Sequence, residues 1–103
     1  MDDRRRATRK PLDLLFNQFL DGHPYLCRAV DLSASGVLCD VFTDRMTWHE
    51  AYPLELELPG APRRLSVWGR RVRAEGRRLA IRFVALEADD RRLLSEFLAP
   101  QPA

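Results

Sequence analysis

The sequence predicts a mainly all-β fold, in which six short antiparallel strands are followed by one C-terminal α-helix. Three observations lead to this prediction. In several short segments apolar and polar residues alternate, as they do in a strand with one buried face. Turn-forming residues separate these segments at intervals of about 8–12 residues, a spacing typical of barrels and sandwiches. From residue 87 onward the apolar spacing becomes helical.

The first half of the chain contains three predicted strands. Residues 12–20 combine an alternating with a helical apolar pattern, and we interpret them as the first strand. A turn at residues 21–24 leads to the second strand at 25–32, and the third strand follows at 36–41. Residues 42–50 are predicted to be irregular.

The second half contains three further strands and the helix. Leucines and glutamates alternate in residues 52–58, which predicts a strand with buried leucines and exposed glutamates. Residues 65–72 are predicted to form the fifth strand, in which Gly69 marks a bulge or bend, and residues 79–84 the sixth. A helix over residues 87–99 carries a stripe of leucine and phenylalanine and ends at prolines.

Length and composition limit the possible classes of protein. With 103 residues, 46% of them apolar, the chain is long enough for a single domain with one core. No apolar run reaches the roughly 20 residues of a membrane-spanning helix, and the N-terminus does not resemble a secretory signal. Cys27 and Cys39 are too few for a disulfide framework, so we expect a buried, reduced pair and a cytoplasmic location.

The sequence contains no recognisable catalytic or metal-binding motif. His49 is not followed by the second histidine of a zinc-protease helix, and no glycine-rich phosphate loop occurs. Two cysteines twelve residues apart give little support for a metal site. We therefore expect a binding protein without enzyme activity, cofactor or metal.

Positive charge is concentrated near the N-terminus, although the net charge is only +2. Five of the seven residues 4–10 are cationic, and Lys10 is the only lysine among the 17 cationic residues of the chain. The planar arginine fork binds phosphate groups and guanine edges through paired hydrogen bonds. Residues 1–10 have no apolar period, so we predict that they form a flexible basic arm.

Two short motifs combine residues suited to ligand binding. Arg5 and Arg9 have the spacing Arg-x-x-x-Arg, and Asp31, Ser33 and Gly36 have the spacing Asp-x-Ser-x-x-Gly. Aspartate and serine side chains favour turns by bonding to nearby backbone groups. Glycine permits a positive φ or a close approach to another group, because it has no Cβ. Alone, the second motif is also compatible with an ordinary corner between two strands.

The two motifs in this order, followed by strands and a closing amphipathic helix, resemble the PilZ domain family. The resemblance covers residues 4–98. It implies a six-stranded antiparallel β-barrel with a C-terminal helix, whereas the strand count alone does not choose between a barrel and a sandwich. The expected division is an arm at residues 1–10, a barrel at 11–86 and a helix at 87–99, in a stand-alone single domain.

The resemblance also implies a ligand and a set of site residues. PilZ domains are receptors for cyclic di-GMP, a ring of two guanosines joined by two phosphates. Arg5 and Arg9 are expected to bind phosphate and guanine from the arm. Asp31 is expected to accept hydrogen bonds from a guanine Watson–Crick edge and Ser33 to add a hydroxyl contact, and Gly36 is expected to let the ligand lie flat against the backbone.

Four further cationic residues are expected to contribute. In the family an arginine at the position of Arg4 accompanies a stacked pair of ligands, so we expect two molecules of cyclic di-GMP per protomer. Arg6 and Lys10 are expected to contact phosphate, and Arg73 to stack on a base. The family often has a tryptophan near Arg73, but here Trp68 lies five residues earlier.

Ligand binding is expected to order the arm and to signal to a separate, unidentified effector protein. A PilZ-like interaction module that does not bind nucleotide is the alternative, although the presence of both motifs argues against it. A basic barrel that binds single-stranded nucleic acid is a third hypothesis. It is disfavoured because most aromatic residues fall on predicted core positions, so we do not expect a nucleic-acid polymer as partner. Since no apolar run is long enough to span a membrane, we also expect no membrane insertion.

Overall fold

A computed structural model of the protein describes residues 9–20, 22–42 and 51–100. Most of the predicted arm and of the predicted irregular segment lie outside the described residues. The described part forms six strands and one helix, which are β1 (Arg9–Leu20), β2 (His23–Ser33), β3 (Gly36–Val41), β4 (Tyr52–Leu56), β5 (Leu65–Glu75), β6 (Arg78–Ala85) and α1 (Ala88–Leu98).

The six strands form a closed antiparallel barrel with the order β1-β2-β3-β6-β5-β4. β1 closes it, because it pairs with β2 along most of its length and with β4 where Gln18 lies opposite Leu54. Each of the six described strands therefore pairs with two neighbours. The predicted barrel with a C-terminal helix is therefore confirmed, and closure decides between the barrel and the sandwich.

The interior of the barrel is filled by the apolar residues that alternate along each strand. The leucines of β4, Leu54 and Leu56, are completely buried, as the alternation predicted. α1 adds the buried side chains Leu93, Leu94 and Leu98 to the same core. No helix within the described ranges is long and apolar enough to cross a bilayer.

The first strand begins earlier than its apolar pattern indicated. Arg9 pairs with Ser33 of β2 and Lys10 pairs with Leu32, so both residues belong to the barrel and not to the arm. The pairing then shifts register between Pro11 and Leu14. Backbone hydrogen bonds to β2 stabilise this end of β1, and side-chain periodicity cannot reveal them.

The two cysteines lie side by side within the barrel, as free and completely buried thiols. Cys27 accepts a 2.9 Å hydrogen bond from the side-chain amide of Gln18, which is itself buried. The hydrogen bond with Cys27 and burial raise the pKa of Cys39 far above its usual range. Cys39 is therefore a neutral packing residue, in agreement with the predicted buried, reduced pair.

Asp90 attaches the helix to the barrel. Its buried carboxylate accepts hydrogen bonds from the backbone N–H of Ser66, at 3.2 Å, and from Nη1 of Arg63, at 3.0 Å. Replacement of Asp90 by alanine would leave a backbone donor of β5 without its partner, so we expect the free energy of unfolding to fall by about 2 kcal/mol.

Urea denaturation of Asp90→Ala checks this expectation. Asp89→Ala is the matched control, because Asp89 is exposed and lies in the same first turn of α1. Equal losses in the two variants would show that Asp90 acts only through the helix dipole.

Candidate functional site

A cleft of about 260 Å³ lies on the outer surface of the barrel, where β2, β3, β6 and β5 are neighbours. One row of paired residues crosses all four strands: Asp31 lies opposite Leu38, Leu38 opposite Ala80, and Ala80 opposite Arg73. Adjacent strands are about 4.8 Å apart, so three spacings separate the backbones of Asp31 and Arg73 by about 14 Å. The cleft thus has charged residues at both sides and an apolar floor between them.

Arg9 of the first motif and Asp31 of the second lie together at one side of this cleft. Nη1 of Arg9 lies 3.3 Å from Oδ2 of Asp31, and the side chains are 67% and 23% exposed. The contact follows from the register of β1 and β2, in which Arg9 is opposite Ser33 and Pro11 is opposite Asp31. The arginine and the carboxylate are therefore both available to a molecule in the cleft.

The serine of the second motif stabilises the turn between β2 and β3. Ser33 is only 7% exposed, and its Oγ accepts from the N–H of Ser35 at 3.3 Å and donates to the carbonyl of Gly36 at 3.4 Å. The carbonyl of Ser35 in turn accepts a 2.8 Å hydrogen bond from the N–H of Phe83 in β6. The exposed hydroxyl on the cleft is that of Ser35, a residue that the motif did not single out.

Gly36 allows β3 and β6 to approach each other closely. Its φ is not positive, and a Cβ at this position would overlap the carbonyl oxygen of Ile81 and lie 3.2 Å from the carbonyl carbon. Of the two roles open to this glycine, the structure shows the close approach. The group that fills the space beside Gly36 is the backbone of β6, although Gly36 also lines the cleft.

The other side of the cleft carries two arginines from adjacent strands. Arg73 of β5, which was among the predicted residues, lines the cleft together with Arg82 of β6. Sequence reasoning missed Arg82: the alternation of β6 shows that its side chain points outward, but not which strands lie beside it. Trp68 is exposed on β5 but is not among the residues that line the cleft.

Lys10 does not line the cleft. Lys10 faces the helix, because its Nζ donates a 3.1 Å hydrogen bond to the carbonyl of Phe97 and lies 4.0 Å from the centre of that ring. Neighbouring residues of a strand point to opposite faces, so Arg9 and Lys10 diverge. Arg4, Arg5 and Arg6 are outside the described residues.

The charges of the cleft suit an anionic ligand with hydrogen-bond donors. Among the described residues that line it, three arginines (Arg9, Arg73 and Arg82) face one carboxylate, Asp31. The arginines supply forks for phosphate or for the acceptor edge of a base, and the carboxylate accepts from N–H groups. The floor between them offers an apolar surface for a flat group.

Comparison with known proteins agrees with the fold. The family model for the PilZ domain matches residues 3–99, which is nearly the whole chain. The chain belongs to the PilZ domain family. PilZ domains form a family of cyclic di-GMP receptors and act as regulatory binding modules.

Two solved structures share the fold. The inhibitor of motility MotI/DgrA from Bacillus subtilis superimposes with a TM-score of 0.74 at 18% identity, over 94% of this chain and 50% of that one. The PilZ domain of CeSA from a cellulose-synthesizing bacterium gives a TM-score of 0.68 at 16% identity, over 87% of this chain and 93% of that one. This PilZ chain therefore spans about half the length of MotI/DgrA. A search of curated protein sequences finds no match.

Proposed function

We propose that this PilZ domain binds cyclic di-GMP in the cleft beside Asp31 and passes the signal to a separate effector protein. The observation that carries the proposal is the 3.3 Å contact between Arg9 and Asp31, because it brings residues of both motifs to one cleft. Membership of a receptor family supports the same ligand.

The chemistry of the cleft complements both edges of guanine. The Watson–Crick edge carries N–H donors, which the carboxylate of Asp31 would accept. The Hoogsteen edge presents O6 and N7 as acceptors, and arginine binds this pair with two hydrogen bonds. Arg9 is suited to that edge or to a phosphate, and its large exposed fraction leaves its guanidinium free to turn towards either.

The arm residues Arg4, Arg5 and Arg6 would add further contacts in this proposal. Because Arg9 and Lys10 already belong to β1, ordering the five residues 4–8 costs on the order of 5–10 kcal/mol in backbone entropy. A charge-assisted hydrogen bond contributes roughly 1.5–3 kcal/mol, so four to six such bonds offset about that cost. Base stacking then provides the net favourable free energy of binding, and a second, stacked ligand molecule would increase it. We expect ligand binding to order the arm, the kind of transition by which signalling proteins expose or cover a surface.

Calorimetric titration tests the proposal directly. Wild-type protein is titrated with cyclic di-GMP, with GTP and with a single-stranded oligonucleotide, and the variants Arg9→Ala and Arg92→Ala are titrated with cyclic di-GMP. We expect heat from cyclic di-GMP only, its loss in Arg9→Ala, and no change in Arg92→Ala, because Arg92 is exposed on α1 away from the cleft.

Two outcomes would overturn the proposal. Heat from the oligonucleotide with none from cyclic di-GMP would assign the cleft to nucleic acid. No heat from any of the three ligands would favour a PilZ domain that acts only through protein contacts.

A further inference from the structure

Arg82 occupies a position on the cleft that neither motif assigns. It lies directly opposite Gly36 in β3 and directly opposite Arg70 in β5. Its side chain is exposed and lines the cleft, and Gly36 has no side chain with which to cover it. Arg82 is therefore presented to any molecule that lies on the floor of the cleft.

Among the described residues that line the cleft with Arg82, only Asp31 is acidic. Two like charges directly opposite each other on neighbouring strands are unfavourable, and Arg82 has this relation to Arg70. The side chains of Arg82 and Arg73 make no hydrogen bond or ion pair with the residues that the structure describes. The carboxylate of Asp31 lies on the far side of the floor and is in contact with Arg9. An anion bound beside β5 and β6 would compensate this excess of positive charge.

The width of the floor indicates what kind of anion reaches both sides. Asp31 and Arg73 lie in one row, separated by three strand spacings or about 14 Å between their backbones. A base held at Asp31 by its donor edge would lie near β2. A second phosphate-bearing unit, joined to the first, would extend over Leu38 and Ala80 towards β5 and β6.

We infer that Arg82 is a ligand-binding residue that, with Arg73, binds the distal phosphate or guanine acceptor edge of a dinucleotide whose first base lies at Asp31. The inference rests on the proposed function, since it concerns the same ligand. The half of the ligand that the two motifs do not contact would then lie against the side of the cleft formed by β5 and β6.

The affinity of Arg82→Ala for cyclic di-GMP, measured by calorimetry, tests the inference. We expect at least about a tenfold loss, the effect of removing a charge-assisted contact. Arg82→Gln should lose as much, since glutamine keeps a polar N–H donor but has no positive charge. The matched control is Arg78→Ala on the same strand, since Arg78 pairs with Asp40 and does not line the cleft.

The outcomes separate this inference from the proposed function. Unchanged affinity in both Arg82 variants, while Arg9→Ala loses binding, would overturn the role of Arg82 and leave the receptor assignment intact. An equal loss in Arg78→Ala would show a general effect of surface charge and would also overturn it. Absence of binding by the wild-type protein would overturn the proposed function itself.

Discussion

Replacing Asp31 by alanine should weaken the binding of cyclic di-GMP by about a hundredfold or more and leave the barrel folded. The carboxylate is the acceptor that the guanine N–H donors would use, and two charge-assisted hydrogen bonds contribute roughly 3–6 kcal/mol. Its partner Arg9 would also lose the contact that holds it at the cleft.

The stability of the protein should change little in this variant. The pair of Arg9 and Asp31 is largely exposed on the arginine side, and exposed ion pairs contribute only about 0–1 kcal/mol. A weak pair is also what a binding site requires, because an entering ligand can replace it at small cost.

Asp40→Ala is the matched control for Asp31→Ala. Asp40 lies on neighbouring β3, is paired with Arg78 and does not line the cleft. Calorimetry should show unchanged affinity for cyclic di-GMP in Asp40→Ala, and thermal unfolding should show that both variants are folded. Retained binding in Asp31→Ala would contradict the assignment of the carboxylate to guanine.

Alternation along the strands was sufficient to predict most strands and their buried faces, whereas the barrel was implied by the family resemblance. The leucines of β4 are buried as the pattern indicated, and the register shift between Trp68 and Gly69 confirms the irregularity predicted at that glycine. Periodicity reports which face of a strand is buried, and this information is local. It could not give the start of β1 at Arg9, which depends on hydrogen bonds to Ser33 and its neighbours in β2.

The site could be predicted only in the part that lies close together in the sequence. The second motif occupies one turn, so its spacing alone places Asp31 and Ser33 near each other. Arg82 comes to the same cleft through the order β3-β6-β5, which no local pattern records. The opposite directions of Arg9 and Lys10 also depend on what packs on each face of β1, and here α1 supplies the partner of Lys10.

The turn residues show how one motif serves both structure and binding. Ser33 and Gly36 are engaged within the protein, through hydrogen bonds of the turn and through close approach to β6. Asp31 is the member of the motif whose side chain reaches the cleft with a charge. Loss of ligand binding in variants of Ser33 or Gly36 would therefore arise from a displaced turn.

Gly36→Ala should accordingly destabilise the protein in the absence of any ligand, by about 3 kcal/mol. The added Cβ would overlap the backbone carbonyl of Ile81, and it would lie 3.3 Å from Cα of Arg82. A backbone atom held in a sheet cannot rotate away as the end of a side chain can. β3 and β6 would have to separate, which weakens the hydrogen bonds between them and moves the turn that carries Asp31.

Urea denaturation of Gly36→Ala and Gly76→Ala distinguishes this explanation from a general intolerance of glycine replacement. Gly76 has a φ of +59° and open space around its Cβ position, so its replacement should cost only about 1 kcal/mol through backbone strain. If Gly36→Ala were as stable as the wild-type protein and lost only its affinity for cyclic di-GMP, the glycine would serve the ligand directly. Because β3 and β6 approach each other closely, we expect instead that the free energy of unfolding falls and that the affinity for cyclic di-GMP falls as a consequence.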